Sequence, residues 1–588
     1  MTTVPPGLGG WWHDYVCPTH GTELVGVEGS GHRCSRGCTV TGPRVDGARS
    51  VLDHQACARE IRLLARRAAS TGSGTDRDRA LSLLSDYADV YAGAVGPGWS
   101  EAAEPWMLRG RLFSQALTEA QWAVQIADAV ILCGRDAAGP GVVTMLEDLL
   151  ATFEQAYAIL VDERQDERNN YTAWLGAAGA LVAQALEAPA TVTGLWRERV
   201  LQHVGLAVRD DGWEWEASVY YHLFVLRAYL LALRGAVPTD LPPATTARLA
   251  AMVRVLAEVA APDGRLPALH DGPYERVPAH REVLEVAELA RGLVSPTGLD
   301  TVERFARERL GDADDGLEPL LSGWFVGAPV QVPAPSRASV LFPDVGYAVL
   351  RDDDDTFQAI LDAGPHGGSH GHLDKLAVYL YGAAPWQPGP GVPPYASPLR
   401  RGYYARTVAH PTVRVDGQDQ DEATGKIAGW DPDAGTLTAT AEPVAGVRVR
   451  RSLRLSAGCL VDVVTVECGS PREVSLALRP AVGLEVLTTA DGAETTWRAA
   501  DGTVLRGFHA ASVPASLVAA PGRGPSDDPA RPLTVADWTA TGDRVVLASL
   551  YHQGPRPPSP VTIAFAPDGG AIFHLTTPDG DSTIEVSP

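Results

Sequence analysis

The chain has no uninterrupted run of about 18 apolar residues, so no membrane-spanning helix is read from it. It has no excess of basic residues either. Lys and Arg total 49 against 72 Asp and Glu, a formal net charge of -23. That argues against a nucleic-acid partner, which needs a basic footprint to neutralise phosphates. The opening Met1-Thr2-Thr3-Val4-Pro5-Pro6 has neither a basic n-region nor an apolar h-region. No secretory signal is read, and a cytoplasmic location is expected. Cysteine is scarce and odd in number, seven in all, which suits a reducing compartment better than a disulfide framework. The bulk acidity reads as a solubilising surface, and any polyanionic substrate would need a locally basic cleft.

At 588 residues the chain exceeds one ordinary core, and two or three domains are expected. Residues 1–50 contain Gly, Trp and Cys/His pairs and read as irregular. Residues 51–329 are rich in Ala, Leu, Arg and Glu, with apolar residues recurring every three or four positions. Leu112, Ala116, Leu117, Ala120 and Ala123 make one such stripe, the mark of an amphipathic helix. Similar stretches near 143–160, 172–187, 194–208, 216–234, 244–260 and 279–292, separated by short breakers, predict an array of antiparallel helices, a toroid or a solenoid. After the Pro-rich Val330–Pro335 linker, residues 336–588 change to short runs of strand formers. Examples are Tyr347–Leu350, Phe357–Leu361 and Leu460–Val466, with Asp-Ala-Gly and Ala-Asp-Gly turns between later ones. This predicts an antiparallel two-sheet sandwich.

The densest chemistry lies in Ser369-His370-Gly371-His372-Leu373-Asp374-Lys375-Leu376. A Gly-rich loop precedes it and a strand follows, so two imidazoles and a carboxylate meet at a loop-to-strand junction. A His pair that only pins the loop is the plainer reading. Asn169-Asn170-Tyr171 enters a helix, where one Asn reads as the N-cap. Asp211–His222 gathers Trp213, Trp215, Glu216, Tyr220, Tyr221 and His222, either a wall for sugar rings or a buried aromatic cluster. His270-Asp271-Gly272-Pro273 reads as a polar turn. Arg400–Arg406 is a basic run, either a solvated edge or an anion-binding strip. Near the start, Cys17 and His20 precede Cys34 and Cys38. Three thiolates and an imidazole suit a tetrahedral structural zinc, with unligated thiols as the alternative.

Taken in order, Asn169-Asn170-Tyr171, Glu216 to His222, His370 to Leu376, and Ala409-His410-Pro411-Thr412 to Gly417 resemble the heparinase II/III family of polysaccharide lyases. The resemblance spans most of the chain. It implies an incomplete (α/α) toroid packed on an antiparallel β-sandwich, with a cleft between them. The implied reaction is β-elimination on uronic-acid-containing oligosaccharides or polysaccharides. Such chemistry needs donors to offset the uronate carboxylate, a base for the C5 proton and an acid for the departing O4.

Carried over by residue, the resemblance gives Asn170 the carboxylate, Tyr221 the acid and optionally the base, and His370 an orienting or neutralising part. Tyr171, Trp213, Glu216, His222, His270, Tyr404 and Arg406 become candidate substrate contacts. His372, Gln387 and His410 fall at metal-ligand positions for zinc or another divalent cation, and no organic cofactor is implied. Three positions depart from the family pattern: Tyr171 stands where a His is common, Gln387 where an Asp is common, and Pro411 follows His410 where an Asn is common. A neutral amide is a poorer zinc ligand than a carboxylate. Two other readings stay open: a glycoside hydrolase with Glu216 and Asp271 as paired carboxylates, or a non-catalytic acidic-glycan-binding protein. No oligomeric state is read from the sequence.

Overall fold

The computed structural model describes residues 2–29, 31–94, 107–314, 316, 321–554, 557–559, 561–566, 570–577 and 580–586. Helices occupy the stretch from Pro43 to Leu310 and strands dominate from Val330 onward. The fold is an incomplete (α/α) toroid followed by an antiparallel β-sandwich, as expected.

The helices divide by how their apolar residues are spread. Helices Ala116–Cys133, Asn170–Ala185 and Val219–Ala232 are buried almost all round, as an inner layer must be. Helices Pro140–Ala158 and Ala190–Ala207 bury one face and present polar residues outward. Side chains from both layers form one continuous core. Among the described residues, no helix is long and apolar enough to cross a membrane.

The two halves meet through a small sheet of Val340–Phe342, Tyr347–Arg351, Gln358–Asp362 and Val378–Tyr381, paired antiparallel in that order. Successive side chains on a strand point to opposite faces, and here both faces are covered. Tyr347, Val349, Ile360 and Tyr379 join the helical core. Ala348, Leu350, Ala359, Leu361, Val378 and Leu380 join the sandwich core. This explains why these strands read as continuous apolar runs rather than alternating ones. The segment between Asp362 and Val378, which holds His370 and His372, therefore lies at the seam.

Behind that sheet stands a ten-stranded antiparallel sheet, with the long strands Cys459–Leu478 and Leu533–Gln553 at its centre. The start of the chain is less irregular than its composition suggests. Leu24–Glu28, Gly31–Cys34 and Thr39–Val40 form a three-stranded sheet. The strands are too short for their alternation to stand out from the glycines around them.

Candidate active site at the seam

Two inner helices begin at the seam, and each delivers one side chain. Asn169 is the N-cap of Asn170–Ala185, its side chain accepting from Tyr171 N at 2.9 Å. The capping is thus done by Asn169, and Asn170 is left to point elsewhere. Its Nδ2 reaches Glu216 Oε2 at 3.5 Å, and its Oδ1 is buried without a hydrogen bond. Ser218 caps Val219–Ala232 by accepting from Tyr221 N at 3.2 Å. Tyr221 then lies in the first turn with its ring stacked on His370, centroids 3.6 Å apart.

Asp271 is the hub. Its Oδ2 accepts from His370 Nδ1 at 2.9 Å, from Tyr395 Oη at 2.6 Å and from Arg400 Nη2 at 2.7 Å, and its Oδ1 from His372 Nε2 at 3.2 Å. Burial opposes the Asp271 charge, but the hydrogen bonds from His370 and His372 and the charge of Arg400 hold its carboxyl well below the usual range. With Nδ1 of His370 committed to Asp271, Nε2 faces Glu216 Oε1 at 3.5 Å. Because Tyr395 donates to Asp271, the Tyr221 hydroxyl donates to Tyr395 at 2.9 Å. A phenol, an imidazole, an amide and a carboxyl from both halves of the molecule thus form one connected network.

Burial pushes Glu216 up to about 8, with the neighbouring Glu214 adding to the effect against the pull of His370, so near neutral pH it is mostly a neutral acid and a donor. Burial, then the Asp271 charge, pushes Tyr221 well above the ordinary phenol range, which keeps it protonated. The backbone is strained around these groups. Ala217, His270 and Leu376 take positive φ values of 60°, 54° and 59°, unusual for side chains with a Cβ and characteristic of functional sites. Gly367, also at positive φ, lies so close to Glu216 that a Cβ there would overlap the Glu216 carbonyl oxygen.

Several residues singled out in the sequence lie elsewhere. Trp213 is fully buried among His222, Phe342 and Tyr347 and cannot meet a ligand. The aromatic that faces outward is Trp215, whose Nε1 donates to Arg168 O at 2.7 Å and whose ring carries the Arg168 guanidinium at 5.1 Å. His222 is a core histidine, bonded through Nε2 to Met252 O at 2.9 Å and held down to about 4 by burial. Tyr404 is turned into the sandwich half, donating to Gly524 O at 2.7 Å. Arg406 pairs with Asp419 at the surface. Tyr171 takes a hydrogen bond from Gln115. His270 is buried behind the network against Asp362, Asp374 and Lys375.

Both ends of the Gln387 amide are taken by backbone: Nε2 donates to Val378 O at 3.0 Å and Oε1 accepts from Arg479 N at 2.9 Å. The carboxylate that stands near His372 and His410 is Asp374. The ligand atoms of these three lie within 4.8 Å of one another. His372 Nδ1 and Asp374 Oδ1 are buried without a hydrogen bond. His410 uses Nδ1 with Tyr379 Oη at 3.0 Å and Nε2 with Tyr404 O at 3.0 Å. Cys17, His20, Cys34 and Cys38 form another group of this kind, with four members rather than three.

Three members of the seam network were not singled out as individual site residues. Tyr395 sits in a Pro-rich turn, Arg400 was one of several arginines in its run, and His13 lies in Trp-Trp-His-Asp far from the other motifs. His13 stacks on Tyr395 with centroids 4.3 Å apart, and its Nδ1 accepts from Tyr395 N at 3.0 Å. A cavity of about 620 Å³ lies apart from this network, against the N-terminal module, with Tyr15, Glu23, Arg49, Tyr274, Arg276 and Asp528 in its wall; none of the network side chains lines it.

Residues 334–504 match the family model described as "Heparinase II/III-like, C-terminal". No curated protein matches the chain in sequence. Solved structures do match. A heparinase III gene product superposes with a TM-score of 0.64 at 15% identity, covering 91% of this chain and 85% of that one. A heparan sulfate lyase HepC mutant from Pedobacter heparinus gives 0.63 at 16% identity, covering 91% and 83%. Another heparinase III gives 0.63 at 15% identity, covering 93% and 83%. The family resemblance read from the sequence is therefore borne out: residues 334–504 form a heparinase II/III-like C-terminal domain, and the chain as a whole is built on the heparinase III fold.

Proposed function

We infer that this protein is a polysaccharide lyase that cleaves acidic, uronate-containing glycans by β-elimination. The observation that carries the reading is the stacking of Tyr221, from the helical half, on His370, from the sandwich half, with Asn170 joined to them through Glu216. In this reading Asn170 Nδ2 and the neutral Glu216 carboxyl donate to the uronate carboxylate, which lowers the cost of charge building up on it as the C5 proton leaves. His370 Nε2 takes that proton, since Asp271 holds Nδ1–H and stabilises the imidazolium that forms. Tyr221, held protonated by its burial, delivers a proton to the departing O4, and the Tyr395–Asp271 chain orients its hydroxyl. The C5–H and C4–O bonds break and a C4–C5 double bond forms; His370 gains the C5 proton, Tyr221 gives its own to O4, and proton exchange with solvent returns both groups to their starting states.

Trp215 with Arg168 offers an aromatic and cationic surface for a neighbouring sugar. Arg400 and Arg168 supply local positive charge in an otherwise acidic chain. His372, Asp374 and His410 are the residues that would hold a divalent cation, and their two-nitrogen, one-oxygen donor set suits zinc. His410 would then exchange its bond to Tyr379 for the ion. A cation there would fix the His370–Asp374 loop and polarise its ligands. Asp271 is buried and carries four donors, which speaks against its acting as a hydrolytic carboxylate.

The test is incubation with a panel of acidic glycans, following the absorbance of the unsaturated uronate end. Appearance of that chromophore supports the reading. Saturated products would favour a hydrolase instead. Binding without turnover, unchanged by Tyr221→Phe, would favour a glycan-binding protein.

A further inference from the structure

The four residues near the chain start form a second site, separate from the seam. His20 Nδ1 lies 3.6 Å from Cys17 Sγ, 3.5 Å from Cys34 Sγ and 3.4 Å from Cys38 Sγ. One imidazole nitrogen carries one proton or one lone pair, so it cannot hydrogen-bond three sulfurs at once. Three near-equal separations instead describe the edges of a tetrahedron. With Zn–S of about 2.3 Å and Zn–N of about 2.0 Å, a tetrahedral site has S···N edges of roughly 3.5 Å. The observed distances fall on that value.

The surroundings are those of bound thiolates. The Arg36 amide donates to Cys34 Sγ at 3.4 Å, and the Thr22 hydroxyl lies at hydrogen-bond distance from the same sulfur, 3.4 Å, placed to donate to a thiolate. Tight backbone turns present each pair: Gly21 N bonds to Cys17 O at 2.8 Å, and Gly37 N to Cys34 O at 2.9 Å, with Gly37 at φ 90°. Cys17 and Cys34 are buried. The module has little else to hold it. Its own apolar cluster is Tyr15, Cys17, Leu24, Cys34, Val45 and Ala48, too small for a stable core without a staple.

We propose that Cys17, His20, Cys34 and Cys38 bind one zinc ion in a closed Cys₃His site, and that this ion staples the N-terminal module across the seam. The module touches both halves. Gly9 N bonds to Leu112 O at 2.9 Å in the helical half. Arg36 pairs with Asp528 of the sandwich half at 2.5 Å. His13 braces Tyr395 from outside the network. All four ligand positions are filled by protein, so the ion has no open site for a substrate and its part is structural. The proposal does not depend on the lyase reading.

The experiment is metal analysis of the full-length protein, purified without chelator or added metal, by mass spectrometry under native and denaturing conditions. Wild type is compared with Cys34→Ser/Cys38→Ser and with His372→Ala/His410→Ala. About one zinc per chain should survive in the His variant and be absent from the Cys variant. Because the Cys variant could misfold, wild type is also grown with cobalt and titrated with a mercurial thiol reagent. Thiolate-to-cobalt charge-transfer bands and stoichiometric metal release on titration are expected, together with faster proteolysis of the first 42 residues. A wild type without thiolate-bound metal, a Cys17–Cys34 or Cys34–Cys38 disulfide, or metal lost only from the His variant would overturn the proposal.

Discussion

Two of the buried charge clusters among the described residues are built differently. In the helical half, Asp128 is enclosed by Arg62, Arg66 and Arg234, and Glu285 by Arg62 and Arg227. Burial opposes these carboxylates, but the arginines overcome it: Arg66, Arg62 and Arg234 hold Asp128 down to about 2, and Arg227 and Arg62 hold Glu285 down to about 2. Every carboxylate there faces an excess of cations. At the seam the accounting is left open. Asn170 Oδ1, His372 Nδ1, Asp374 Oδ1 and His270 Nδ1 are buried without hydrogen bonds. Glu216 is pushed up to about 8, and the backbone is strained at Ala217, His270 and Leu376. In the helical cluster Arg62 Nη2 alone lacks a partner of this kind. Burial of charge marks both regions; unfilled polar atoms with strained backbone mark only the one proposed to meet a ligand.

Substitutions should separate the two clusters. The largest effect expected is on activity at the seam. Tyr221→Phe should lower kcat/KM on a cleaved glycan by about 10³-fold, the scale of a lost general acid, while stability falls by only about 1 kcal/mol for the lost hydrogen bond to Tyr395. Steady-state kinetics and calorimetry check this. In the helical cluster the opposite pattern is expected. Asp128→Asn leaves three arginines facing one another and should cost about 3 kcal/mol in denaturant unfolding, with kcat per folded molecule intact. A comparable loss of kcat would erase the distinction between the clusters.

The tryptophans repeat the contrast on a smaller scale. Trp213→Ala opens a cavity in the core and should cost about 3 kcal/mol of stability. Trp215→Ala should instead raise KM severalfold and leave unfolding almost unmoved. Comparing the two unfolding curves would break this assignment if they shifted alike.

The pH dependence should run in opposite senses. Glu216 has a folded pKa above its unfolded one, so its contribution is full below about 4.5 and is lost as pH rises toward about 8. Asp128 and Glu285 are depressed, so their contribution is present above their unfolded values and fades as pH falls toward about 2. Melting temperature against pH should therefore lose part of its alkaline decline in Glu216→Gln and part of its acid decline in Asp128→Asn. The smallest effect is expected for Tyr404→Phe. It loses a buried hydrogen bond, about 1 kcal/mol, and should leave kinetics as they are.

Much of the fold was legible because periodicity reports burial directly. The helices from Pro140 to Leu293 begin and end within a few residues of the stretches marked by their apolar spacing. The seam strands could be placed for the same reason, although their double burial hid which face met which half. The site was legible where chemistry sits in short strings: Asn170, Tyr221, His370 and His372 all came from such runs. It was illegible where a role depends on contacts across the fold. Asp271 read as a turn residue or, in the hydrolase alternative, as one of two paired carboxylates, yet donors from three later segments converge on it as a hub. Tyr395 and His13 meet only because the chain start crosses the seam. Trp213 and Trp215 lie in a turn with no period, so nothing local said which would point inward. Gln387 falls at a ligand position only by the family resemblance, and its amide satisfies backbone groups instead.

The central claim is tested most directly by the mass of the fragments released from a uronate-containing glycan. Elimination predicts a new non-reducing end that lacks one water relative to a hydrolysed one and absorbs in the ultraviolet, formed by wild type and not by Tyr221→Phe. Fragments bearing the extra water, or unsaturated ends formed equally well by Tyr221→Phe, would contradict it.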